Sequence, residues 1–158
     1  MSKRIGSELT HGLFDRLRGG EIGAHEGKII PIFTLDESDR PHPALLSYYE
    51  IVAKNPSTID MALWKNSSTA NNLRLKGKVT MMITDRNINY YIKGRATEIE
   101  AEMTGAPQVS RFRVTTEELL EDQEPNARIT SGMTYSRTTA READDFAAKV
   151  MNLLRQHP

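Results

Sequence analysis

Apolar and polar positions alternate in short runs along most of this chain, and the spacing turns helical in only a few places. Residues 10–18 put Leu13, Phe14 and Leu17 on one helical face, and Gly19-Gly20 ends that stretch. Residues 28–35 form a β-rich run. Its Pro31 points to an edge strand, since proline cannot donate to a ladder. Turn chemistry over residues 36–41 leads to a longer strand expected at 44–53. Lys54-Asn55-Pro56-Ser57 then turns the chain into a third strand, Thr58–Trp64. Residues 67–75 read as a helix, with Ser67 or Ser68 at its N-cap and Gly77 just past its end.

Residues 79–84 and 88–103 are strands joined at Asp85-Arg86-Asn87, a hairpin signal. Ile88, Tyr90 and Ile92 share one face, but Ile99, Ala101 and Met103 have the opposite parity. Strand side chains alternate with period two, so an extra residue or a bend must intervene, and Gly94 is the natural place. The alternative is two separate short strands. Residues 109–114 predict a further strand, and Thr115-Thr116-Glu117-Glu118 has the spacing of a capping box that opens a short helix. Pro125 ends that excursion, and residues 127–136 predict a last strand. A second capping box, Thr139-Ala140-Arg141-Glu142, starts a C-terminal helix with the stripe Ala143, Phe146, Ala147, Val150 and Leu154. The total is six or seven antiparallel strands with connections too short for parallel crossovers. An antiparallel barrel with peripheral helices accounts for them economically.

Composition narrows this picture. A chain of 158 residues matches one ordinary domain. Its hydrophobic share of 38% and mean hydropathy of −0.52 predict a thin core, or one completed by a partner subunit. No apolar run approaches the ~18 residues needed to span a bilayer, and the polar start lacks the apolar segment of a signal peptide. Cysteine is absent, which excludes disulfides, thiolate metal sites and cysteine nucleophiles. The default address is the cytoplasm. Lys and Arg total 21 against 21 for Asp and Glu, so no net field draws nucleic acid or anionic lipid.

The stretch Trp64-Lys65-Asn66-Ser67-Ser68-Thr69-Ala70-Asn71-Asn72 carries the most chemistry. A helix N-terminus presents unpaired N–H groups and partial positive charge, which suits an anion. Three hydroxyls and two carboxamides crowd this one, with Lys65 before it and Arg74 and Lys76 after it. Phosphate needs such a set; an ordinary N-cap in a polar turn is the plainer reading. His11, His25, His42 and His157 lack metal-ligand spacing, and His42 fits a structural role between two prolines. Glu98, Glu100 and Glu102 read as a solvated strand face. Tyr48, Tyr49, Tyr90 and Tyr91 suit a core or a dimer contact. No nucleophile elbow, P-loop or dinucleotide fingerprint is visible.

Taken together, three segments resemble the pyridoxamine 5′-phosphate oxidase-like family of FMN-binding split barrels. Asp39-Arg40-Pro41-His42-Pro43 is similar to the family's G-x-P-H-x-x-P opening. The strand 59–64 with Lys65-Asn66-Ser67-Ser68-Thr69-Ala70-Asn71-Asn72-Leu73-Arg74 is similar to its strand, phosphate loop and K-x-x-N-L-R-x-N-P-x-V helix. Tyr90-Tyr91-Ile92-Lys93-Gly94-Arg95-Ala96 is similar to its V-x-V-x-G-x-A strand. The resemblance covers residues 28–103, about half the chain. It implies a mainly β, six-stranded antiparallel split β-barrel within residues 1–158, with an N-terminal helix at about 10–18, the barrel at about 28–136 and a C-terminal helix at about 139–156. It further implies a homodimer with FMN between subunits. By position, Ser67, Ser68, Thr69 and Asn72 would meet the phosphate, and Ser47 and Tyr49 would line the flavin or ribityl region. Lys65 and Arg74 would neutralise charge. Thr69 stands where the family commonly has a basic residue, and residues 45–51 lack the Arg and Lys with which the oxidase proper holds phosphate. Pyridoxamine phosphate oxidation is therefore not implied.

Two functions from different classes follow. One is an FMN-dependent oxidoreductase that acts on a small molecule with a nicotinamide electron donor, the flavin supplying the redox chemistry. The other is a non-enzymatic ligand-binding or stress-related split barrel with a weakened flavin site, motivated by Thr69. A third reading, an OB-like barrel binding single strands through Tyr90, Tyr91, Lys93 and Arg95, is opposed by the zero net charge.

Overall fold

In the computed structural model, which describes residues 1–137 and 141–158, the sequence forms eight strands and three α-helices. The strands are β1 (Ser2–Gly6), β2 (Ile29–Leu35), β3 (Pro41–Ser47), β4 (Ile51–Asn55), β5 (Thr58–Trp64), β6 (Lys78–Asp85), β7 (Ile88–Glu100) and β8 (Val109–Asp122). The helices are α1 (His11–Leu17), α2 (Ser68–Lys76) and α3 (Arg141–Gln156), with a single 3-10 turn at Ile22–His25. All pairings are antiparallel, in the order β3-β2-β6-β7-β8-β5-β4. The sheet curls into a split barrel, the architecture expected from the sequence. Its two ends, β3 and β4, are neighbours in sequence. No helix among the described residues is long and apolar enough to cross a membrane.

The long strand β8 organises the sheet. One edge pairs with β7, while the other takes β5 along Val109 to Thr115 and then β1 from Leu119 to Asp122. The helix expected from Thr115-Thr116-Glu117-Glu118 therefore does not form. The β7 ladder runs past these residues, with β5 pairing up to Thr115 and β1 pairing from Leu119 on the other edge, and this outweighs a local capping pattern; Leu119 is buried as part of a strand. The strand expected over 44–53 is two strands, because Glu50 caps a turn. Its Oε2 accepts from the Ser47 N–H at 2.6 Å and the Ser47 hydroxyl at 3.0 Å. The strand expected over 127–136 is irregular: it makes one isolated bridge, Lys28 to Thr134, and its Ile129 and Met133 carbonyls accept from the Asn87 and Ile29 N–H groups. Pro31 does not mark an edge strand, since β2 lies between β3 and β6. It sits one residue outside the β6 register, which spans Ile32 to Thr34. The edge is β3, whose Pro41 and Pro43 suit that position.

An irregularity does fall at Gly94, in a form that differs from the expectation. Lys93 pairs with Glu118 and Gly94 with Thr116, so the extra residue is Glu117 on β8. The buried face of β7 continues through Ile92, Gly94 and Ala96 without switching, and Ile99 is exposed. A Cβ on Gly94 would sit 2.4 Å from the Thr115 carbonyl oxygen and 2.7 Å from Val114 Cγ1. Glycine is there because the bulged strand comes too close for any side chain.

Two apolar clusters hold the fold. The larger fills the barrel with Ile32, Ile51, Ile59, Met61, Met81, Ile83, Ile92 and Phe112, closed by Leu13 and Leu17 of α1 and by Ala70 and Leu73 of α2. The smaller covers the outer face of β4 and β5, where Val52 and Ala62 meet Val150, Met151 and Leu154 of α3. Val150 and Leu154 of the predicted stripe are buried there, and Phe146 and Ala147 are half-buried. The capping box expected over residues 139–142 lies outside the described residues.

Beneath the end of α3, Asp60 is fully buried and accepts from Arg111 Nε (3.0 Å) and Nη2 (2.5 Å) and from Arg113 Nε (2.8 Å) and Nη2 (3.0 Å). The same guanidiniums donate to the carbonyls of His157 and Pro158, while Lys54 donates to those of Leu154 and Arg155. Lys54 thus meets two of the last carbonyls of α3, where the dipole favours positive charge, and Arg111 and Arg113 hold the two residues that follow the helix.

Candidate functional site

The β5–α2 turn builds the candidate anion site. Ser67 caps α2, its Oγ accepting from the Ala70 N–H at 3.1 Å, and Gly77 closes the helix in the left-handed conformation. The Asn71 N–H goes to the Ser67 carbonyl. The N–H groups of Ser68 and Thr69 take no partner among the described residues. They are two free donors at the positive end of a helix dipole. Ser68 is exposed and, with Asn72, lines a shallow depression beside the turn between β2 and β3, near His42, Asp36 and Glu37.

The other predicted residues are spread around this turn. Thr69 is buried. Asn72 is also buried and donates to the Thr34 hydroxyl at 3.0 Å, which fixes its carboxamide against the barrel. Arg74 forks onto Glu98, with Nε 3.0 Å from both oxygens, and also donates to the Lys65 carbonyl, Asn71 and Ser110. The hydrogen bonds that Arg74 donates to Glu98 raise the pKa of Arg74 and lower that of Glu98. Lys65 pairs with Glu102 at 2.6 Å. Both cations beside the anion site are thus matched by carboxylates of this chain. Of the row expected to be solvated, Glu102 is exposed and pairs with Lys65, whereas Glu98 and Glu100 are half-buried and face Arg74 and Arg111.

Ser47 and Tyr49 lie elsewhere, at the far end of β3. Ser47 lines an apolar cleft of about 330 Å³ between the barrel and α3, walled by Leu45, Trp64, Phe146 and Val150, with Glu50, Tyr135 and Arg137 also at its surface. The Trp64 and Phe146 rings are stacked, 5.7 Å apart at 15°. Burial raises the Glu50 carboxyl pKa, against the opposing Ser47 hydrogen bonds and the nearby Arg137 charge. The Tyr49 hydroxyl donates to Glu26, which together with burial pushes its pKa up to about 12, and Arg137 lies over its ring. The structure therefore brings Ser67, Ser68, Thr69 and Asn72 together at one end of β3 and puts Ser47 and Tyr49 at the other. Trp64 connects the two places, since it walls the cleft and its carbonyl accepts from the Ser67 N–H. Sequence reasoning missed Glu50, whose only signal was a carboxylate three residues after a serine inside an apolar run.

A curled antiparallel sheet with this strand order and a helix after its fifth strand defines a split barrel. No family model matches the chain. It is 28% identical over 125 residues to YclD of Bacillus subtilis (strain 168), an uncharacterized protein, covering 79% of this chain and 81% of that one. Among solved structures it is similar to a Lactobacillus delbrueckii protein provisionally assigned as a pyridoxamine 5′-phosphate oxidase, with a TM-score of 0.59 and 14% identity over 74% of this chain and 98% of that one. It is also similar to an FMN-binding protein from Syntrophomonas wolfei, with a TM-score of 0.53 and 17% identity over 72% and 88%. At these identities what is shared is the fold.

Proposed function

We propose that this chain is an FMN-binding split-barrel protein that holds the flavin phosphate at the N-terminus of α2. The observation that carries the proposal is the pair of unpartnered N–H groups on Ser68 and Thr69, flanked by the hydroxyls of Ser67 and Ser68. The likeness in fold to an FMN-binding protein supports it. The donor set fits a phosphate. The cations fit it less well, since Arg74 and Lys65 would each have to be shared with a carboxylate. Attachment would rest on hydrogen bonds and the helix dipole, so FMN would bind reversibly.

Asn72, locked by Thr34, would fix the depth of the phosphate, and Ser47 and Tyr49 would border the rest of the cofactor. FMN would supply electron transfer, with a nicotinamide donor as its source. The exposed Leu45 and Trp64, 58% and 57% accessible, would be covered by a second copy of the chain in a homodimer.

Ser68→Pro tests the phosphate site. Proline is well tolerated at the first helical position but has no N–H. The variant should keep its thermal midpoint and bind FMN about tenfold more weakly, the value of one hydrogen bond to a charged group. Unchanged FMN affinity would refute the placement. The paired state of Lys65 and Arg74 favours a second reading, a binding protein whose flavin site has weakened. Reduction of bound FMN by NADH or NADPH would exclude that reading.

A further inference from the structure

His25 sits in a cluster of ionisable groups on the side of the barrel closed by α1. Its ring is stacked on Tyr48, with centroids 4.6 Å apart at 22°. Its Nδ1 is buried and has no hydrogen-bond partner among the described residues. Arg16 of α1 reaches the Tyr48 hydroxyl at 3.1 Å and Asp85, at the end of β6, at 3.0 Å. Lys28, just before β2, meets the same carboxylate at 2.6 Å. Two cations beside the imidazole thus share one carboxylate. Of the acidic neighbours in the turn, Glu21 is exposed, and Glu26 accepts from the Tyr49 hydroxyl and lies 4.0 Å from Arg137.

A neutral imidazole suits this place and an imidazolium does not. Protonation puts an N–H on both ring nitrogens, so Nδ1 would become a buried donor without an acceptor and a third positive charge would face Asp85. Burial first, then the Arg16 and Lys28 charges, hold the His25 pKa below its ordinary value. The turn that carries it is lightly held. None of residues 21–28 is fully buried, so this turn can open at less cost than the barrel.

We propose that His25 is a pH-sensitive latch: neutral, it keeps the turn of residues 21–28 closed on Tyr48, and protonation releases that turn together with the Tyr49 hydrogen bond to Glu26. Opening returns the imidazole to a pKa of about 6.5. The closed value is lower, so the latch is fully effective above pH 6.5 and weakens as pH falls toward the closed midpoint. Within that window the open-to-closed ratio rises by up to about tenfold per pH unit. Asp85, held at about 2, does not titrate there.

Hydrogen exchange tests the latch at the Ala24, Lys28 and Tyr135 amides, which donate to the Glu21, His25 and Gly27 carbonyls. Corrected for intrinsic rates, their protection should fall by up to about tenfold per pH unit below about pH 6.5, while amides inside β7 keep theirs. His25→Phe keeps a ring on Tyr48 and has no proton to take, so protection at these amides should become independent of pH across the same window. The His25 imidazole resonance of the wild type should titrate below pH 6.5. Constant protection in the wild type, a fall retained in His25→Phe, or a His25 midpoint at or above pH 6.5 would each overturn the proposal. Should His25→Phe not fold, the wild-type exchange profile and the imidazole midpoint still decide. Loosening of FMN beside Tyr49 at low pH is a consequence that rests on the flavin reading. Exchange is measured without FMN, so failure of that reading leaves the latch standing, and constant protection refutes the latch alone.

Discussion

Replacing Asp60 by Asn tests how α3 is held in place. Asp60 is fully buried and accepts four hydrogen bonds from two guanidiniums, one belonging to Arg111, whose side chain is 2% exposed. An asparagine of the same shape keeps one acceptor and turns two N–H donors toward a guanidinium. The nearest remaining carboxylate, Glu100, is 3.5 Å from Arg111 and cannot neutralise both cations. Removing one partner of a buried ion pair typically costs about 3–5 kcal/mol. For a chain of this size each kcal/mol shifts the thermal midpoint by roughly 2–4 °C. Urea unfolding of Asp60→Asn should therefore show a loss in that range with an unchanged m-value. Because Arg111 and Arg113 also hold the carbonyls of His157 and Pro158, amide exchange should speed up selectively over residues 150–158. A loss below about 1 kcal/mol, or exchange unchanged at that end of α3, would refute the clamp.

Three further outcomes follow from the structure. Burial would raise the Asp85 carboxyl, but hydrogen bonds from Lys28, the Arg86 N–H and Arg16 outweigh it and hold the pKa at about 2, against an ordinary 3.8. Its contribution, on the order of 2 kcal/mol, is present above pH 4 and lost as pH falls toward 2. Asp85→Asn should therefore flatten the acid limb of a stability–pH curve, and an unchanged limb would contradict the assignment. Gly94→Ala should cost about 1–3 kcal/mol in urea unfolding, because its Cβ meets backbone at 2.4 Å; a neutral result would mean the bulge relaxes freely. Glu98→Gln releases Arg74 from its carboxylate and should tighten FMN binding several-fold, on the order of 1 kcal/mol, by fluorescence titration. Weaker binding would mean that Arg74 must be held by Glu98 to act.

Features decided by local chemistry were readable from the sequence. Ser67 and Gly77 bracket α2 as their capping chemistry dictates, and Asp85-Arg86-Asn87 makes the hairpin with Asn87 at φ 62°. Features decided by distant neighbours were not. Residues 115–118 carry a helix signal but are a strand, because β7 pairs along them while β5 and β1 hold the other edge just before and just after. Ser2–Gly6 carries no strand signal, yet it completes the edge of β8. The phase change expected on β7 does not occur: the irregularity at Gly94 comes from an extra residue on β8, a partner that sequence parity within one strand does not reveal. The candidate site divides in the same way. The donors of α2 are local and were visible, whereas the neutralisation of Lys65 and Arg74 by Glu102 and Glu98 depends on the β7 side of the barrel reaching the turn.

The most direct measurement is an absorbance spectrum of the purified protein followed through an FMN titration. The account predicts flavin bands that shift on binding and saturate at one FMN per chain, weakened in Ser68→Pro. A colourless protein that leaves the FMN spectrum unchanged through the titration would contradict the central claim.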